Sequence, residues 1–156
     1  MLSQLGLKPP LSQEEAAPLH YFTVWETGSA PISEARQAVR ALLSRVGYRP
    51  DHRTSQDAQL VVSELVTNAH RHAPGPGRLE LEVIPDAALL RITVRDSSPH
   101  QPQLQPPDPG RIGGHGLHLV TRLSTKLHTL AQETGKQVVA HLHLHAADKQ
   151  RADGSG

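Results

Sequence analysis

Apolar residues recur along residues 54–73 (TSQDAQLVVSELVTNAHRHA) at Ala58, Val61, Val62, Leu65, Val66 and Ala69. Steps of three and four residues put all six on one face, so the segment predicts an amphipathic helix. Pro74-Gly75-Pro76-Gly77 ends it, since proline cannot continue the backbone ladder. Upstream, Ala35, Val39, Leu42, Leu43 and Val46 predict a second helix over 34–46, with Ser33 as its N-cap and Gly47 as its stop. The pattern then changes to period two. Leu79, Leu81 and Val83 alternate with Arg78, Glu80 and Glu82, and Leu90, Ile92 and Val94 alternate with Arg91, Thr93 and Arg95. Strands over 78–84 and 88–96, turning at Pro85-Asp86, form an antiparallel hairpin. HYFTVWE (20–26) reads as a short strand. Residues 115–127 read as a helix with Leu117, Val120 and Leu127 inward, and 127–131 and 136–145 as strands around Thr134-Gly135.

The order is β, α, α, β, β, long loop, α, β, β, with helices and strands segregated. The expected fold is an α+β two-layer sandwich, a mixed, mainly antiparallel sheet with helices on one face. Residues 1–19 form an arm without periodicity, 20–145 the domain, and 146–156 a polar tail. The connection 97–114 holds five prolines and three glycines. So long a loop within a compact domain has a function of its own or is disordered.

Composition narrows the function. Sixteen Lys+Arg and fifteen Asp+Glu give a net charge of +1, against a protein whose main task is gripping nucleic acid. The absence of cysteine excludes a disulfide scaffold and thiolate-ligated zinc. No apolar stretch approaches the ~20 residues of a membrane span, and no leader is visible, so the expectation is a cytoplasmic protein without membrane contact. With four aromatic residues in the chain, the core must be built from Leu, Val, Ile and Ala.

Three groups of residues could carry chemistry. Glu64 and Asn68 lie one turn apart on the predicted helix; at ~100° per residue, Asn68 falls about 20° outside the apolar stripe and Glu64 further out. They read either as a boundary pair satisfied by solvent and neighbours, or as a base beside a hard oxygen ligand for Mg²⁺. Asp96 ends an apolar strand, as an Asx turn or as an acceptor for an exocyclic amine such as that of adenine. Gly113, Gly114, His115, Gly116 and Leu117 form a glycine-rich entrance to a helix, where backbone N–H groups can meet phosphate.

ELVTNAHRHA, VRDSSP, GGHGLHLV and TGKQVVAHL occur in the order and spacing of the GHKL ATP-binding superfamily. They resemble most closely the small anti-sigma-factor serine/threonine kinases of actinomycetes, over roughly 20–145. The resemblance implies a Bergerat-like ATP-binding fold with ATP and Mg²⁺ as cofactors. It implies Glu64 as catalytic base or water-orienting residue, Asn68 as Mg²⁺ ligand and Asp96 as the adenine contact. Gly113, Gly114, His115, Gly116 and Leu117 would hold the phosphates under a lid at about 97–112. It also implies phosphorylation of a STAS-type anti-anti-sigma protein, sequestration of a sigma factor, and a homodimer.

Two positions depart from the pattern. Ser98 replaces a glycine, and Gln137 stands where the family's Gly-Lys-Thr carries threonine. Both favour an alternative, a GHKL-fold binding module with weak or lost catalysis that regulates by partner exchange. The eleven histidines raise a third reading, a metal protein. His141, His143 and His145 alternate on the last strand and read as its non-core face, while His72 falls on the stripe side of its helix as a packing residue. No His-x-x-x-His or His-x-x-Glu-His pattern supports hydrolytic zinc.

Overall fold

The structure, a computed structural model, describes residues 19–26, 28, 30–73, 75–97 and 116–145. Strand β1 (Leu19–Trp25) precedes helices α1 (Ile32–Arg45) and α2 (Arg53–His72). The hairpin β2 (Gly77–Ile84) and β3 (Leu89–Asp96) follows, then α3 (Gly116–Leu123), β4 (Lys126–Gln132) and β5 (Gly135–His143). The sheet order is β1-β2-β3-β5-β4, and all four pairings are antiparallel. The expected two-layer α+β sandwich is therefore what forms. It has no parallel neighbours among the described residues, because β5 returns between β3 and β4. The expected arm, lid and tail lie almost entirely outside the described residues.

Period-two alternation builds the sheet as the sequence predicts. Leu79, Leu81, Val83, Leu90 and Ile92 have no exposed surface and, with Val94, Val138, Ala140 and Leu142, form the core face. The six stripe residues of α2 are all buried on this layer. Losing one of these large side chains to alanine costs about 2–5 kcal/mol, so the patterned residues dominate the stability of the fold. Gly77 has its own reason to be glycine: a Cβ there would run into the indole of Trp25, which covers the strand end.

Local chemistry moved several boundaries. Helix α1 starts at Ile32, with Pro31 as N-cap and its carbonyl accepting from Ala35 N at 2.9 Å. Ser33 is exposed inside the first turn and makes no cap. A proline tolerates this place because a helix start has no partner for its missing N–H. At the other end Gly47 (φ 99°) is the predicted stop: Gly47 N donates to Ser44 O and Tyr48 N to Leu43 O, the paired bonds of a Schellman motif. Helix α3 is shorter than expected. After Leu123, Thr125 donates through both N and Oγ1 to the carbonyl of His141 (2.8 and 3.0 Å), drawing the chain into β4. Leu127 therefore packs on the core from a strand. Strand β5 ends at His143, two residues early, although Leu144 stays buried and donates its N–H to Ala88 O. His72 is exposed, correcting its expected packing role, because it lies at the end of α2, beyond the helix's last buried residue, Ala69. No helix among the described residues is long and apolar enough to cross a membrane.

Candidate functional site

Helix α2 packs over β3, and the two finish at the same end of the sheet. A Cβ on Gly75, just past α2, would stand 2.8 Å from the hydroxyl of Ser97, just past β3. Strand β5 begins here too, opposite Asp96. Glu64 and Asn68 are half-buried on α2 beside its apolar stripe, in the boundary position that the helical angle predicts. Neither side chain makes an ion pair or hydrogen bond to another described residue.

Asp96 is in phase with Leu90, Ile92 and Val94, so its carboxylate faces the helix layer and the residue is buried. Its cross-strand partner is Lys136. The ammonium of Lys136 donates to Asp96 Oδ2 at 2.7 Å, and the two side chains are 2% and 3% exposed. A lysine is buried so completely only when its stem replaces apolar packing and its charge meets an opposite one. Gly135 makes the arrangement possible, since a Cβ at φ +153° would overlap the backbone carbonyl of Asp96.

The residue flagged by its departure from the family pattern, Gln137, lies elsewhere. It faces the open side of the sheet among Glu80, Arg91, Thr93 and His141. The residue beside Asp96 is Lys136, which the sequence reading missed. The signal was present in the alternation, because Lys136 is in phase with Val138, Ala140 and Leu142.

Gly116 and Leu117 open α3, which packs on α2. Gly113, Gly114, His115 and Ser98 lie outside the described residues, so the glycine entrance is seen here from its helical end. A cavity of about 480 Å³ lies between the start of α2 and the end of β5, and none of Glu64, Asn68, Asp96 or Leu117 lines it.

The histidines of β5 project from the open face, as their alternation predicts. His141 lies 5.8 Å from His128 between ring centroids, and His143 lies 4.6 Å from His145. Burial, then the charges of Arg91, His128 and Lys126, lower the pKa of His141 from 6.5. Among the described residues no group of three or more His, Asp or Glu side chains converges as a metal site. Asn68 offers an amide oxygen of the kind Mg²⁺ accepts when most of its shell comes from phosphates and water.

Residues 28–142 match the family described as histidine kinase-like ATPase domain. Among solved structures, that of the RsbU and RsbW domains of Rv1364c from Mycobacterium tuberculosis is 18% identical and matches 86% of this chain with a TM-score of 0.60. The shared fold spans 34% of that longer chain. The histidine kinase domain of a blue-light activated kinase from Erythrobacter litoralis EL346 is 31% identical, over 58% of this chain and 45% of its own, with a TM-score of 0.43. The catalytic domain of histidine kinase ThkA (TM1359) is 15% identical over 80% of this chain and 97% of its own, with a TM-score of 0.44. No match was found among curated protein sequences.

Proposed function

The chain belongs to the histidine kinase-like ATPase domain family, and we propose that it is a serine/threonine protein kinase that uses ATP with Mg²⁺ and works as an anti-sigma switch. Membership makes it a kinase-like ATP-binding domain. In the finer reading, the hydroxyl oxygen of a STAS-type antagonist protein attacks the γ-phosphorus and the bond to the β-phosphate oxygen breaks. ADP leaves, and the hydroxyl proton passes to Glu64. Asp96 accepts from the adenine amine, while Gly113, Gly114, His115, Gly116 and Leu117 hold the phosphates. Mg²⁺, taken up with the nucleotide through Asn68, supplies neutralisation of phosphate charge. Phosphoryl transfer needs positioning and charge neutralisation more than covalent chemistry, so a small domain with one base suffices. Sequestration of a sigma factor, a homodimer, a cytoplasmic setting and no direct contact with nucleic acid or membrane complete the reading.

The observation that carries it is the pairing of a half-buried Glu64 and Asn68, one turn apart on α2, with a core-facing Asp96 at the end of the strand beneath. A second reading, a binding module with little catalysis, draws support from the buried Lys136 already engaging Asp96. Incubation with γ-labelled ATP and candidate STAS-type proteins separates them. Phosphoserine or phosphothreonine on the antagonist supports the kinase. Tight partner binding without transferred label favours the module.

A further inference from the structure

A buried ammonium at the candidate nucleotide site is not used by the chemistry above. Lys136 Nζ carries three N–H donors. Among the described residues its one hydrogen bond is to Asp96 Oδ2, at 2.7 Å. Its side chain is 2% exposed, so bulk water does not serve the remaining donors. A buried charged donor without an acceptor is costly, and a site that maintains one is suited to a ligand bringing an acceptor. That acceptor must lie next to whatever donates to Asp96, because the two groups are cross-strand neighbours on one face.

Resting on the ATP-binding reading, we propose that Lys136 is a base-reading residue. Asp96 and Lys136 present an acceptor and a donor side by side. The pairing edge of adenine carries the complementary order, an amino donor next to the N1 acceptor. In the complex the adenine amine donates to Asp96 and N1 accepts from Lys136. Lys136 thus contributes to nucleobase recognition, and its contact with Asp96 keeps the two groups aligned before the nucleotide arrives. Gln137, across the sheet from Asp96, takes no part.

The test compares ATP with 1-deaza-ATP, which keeps the amino group but has C–H in place of N1, using calorimetry on the full chain with Mg²⁺. The unaltered protein should bind ATP about tenfold or more tightly than 1-deaza-ATP, the usual loss on removing one acceptor from a charged donor. Lys136→Met, and independently Lys136→Thr, should abolish that preference. Equal binding of the two nucleotides by the unaltered protein overturns the role of Lys136 while leaving ATP binding standing. A preference that survives in a folded Lys136→Met protein overturns it as well. Binding of neither nucleotide defeats the ATP-binding reading and this inference together. Should both variants fail to fold, the comparison in the unaltered protein still decides.

Discussion

Gly135 sits against the backbone carbonyl of Asp96, in the space a side chain would need. This contact sets the start of β5 against the end of β3 and delivers the next residue, Lys136, to the Asp96 carboxylate. Gly135→Ala must push two backbones apart at a φ of +153° that L-residues rarely adopt. We expect a loss of about 2–3 kcal/mol in urea unfolding, typical of forced overpacking with backbone strain. An unchanged midpoint would show that the two strands do not meet as described.

The ion pair has a thermodynamic signature of its own. Removing one partner of a buried pair leaves an uncompensated charge, so Lys136→Met should cost about 3–5 kcal/mol. Joint replacement, Asp96→Asn with Lys136→Met, removes both charges and should cost less than the single change. Chemical denaturation of the four proteins in the cycle checks this. A double variant less stable than Lys136→Met would mean the two groups are not coupled.

Glu64 and Asn68 are assigned separable tasks. Glu64→Gln should retain ATP binding and lower phosphoryl transfer by about 100-fold or more, the usual contribution of a positioned base. Asn68→Ala should remove the Mg²⁺-dependent part of ATP affinity. Calorimetry with and without Mg²⁺, run beside transfer assays, reads both, and unchanged transfer in Glu64→Gln would refute the base role.

His141 makes stability depend on pH. Burial first, then Arg91, His128 and Lys126, hold its folded pKa below the ordinary 6.5. The unfolded chain therefore takes up the proton more readily, and this stabilising contribution is complete above pH 6.5. It is lost as pH falls from 6.5 towards the folded pKa. His141→Gln should flatten stability against pH over that window, measured by urea midpoints. An unaltered slope would place the dependence on other groups.

The helices and strands were legible wherever one face is buried throughout. Helix α2 repeats its apolar step from Ala58 to Ala69, about three turns, and β2 and β3 alternate without a break, so periodicity identifies them. Boundaries were set by single local bonds: Pro31 displaced Ser33 as the cap, and Thr125 cut α3 short by bonding to His141. Glu64 and Asn68 were readable because they share one helix with the stripe that orients them. The Lys136–Asp96 contact was not, because the register joining residues 40 apart is fixed by sheet assembly and by Gly135. A lysine in a strand is ordinarily assigned to solvent, and here only its phase with Val138, Ala140 and Leu142 pointed inward. His72 failed in the opposite sense: its angle matched the stripe, but the core ends before it.

ATP·Mg²⁺ binding is the claim on which the remaining assignments depend, and thermal unfolding of the full chain over a range of ATP·Mg²⁺ concentrations tests it most directly. A ligand that binds the folded state alone adds about 2.7 kcal/mol at one hundred times its Kd, so the Tm should climb by several degrees and keep climbing with concentration. A Tm that stays flat to millimolar ATP·Mg²⁺, in protein shown to be folded, would contradict the account.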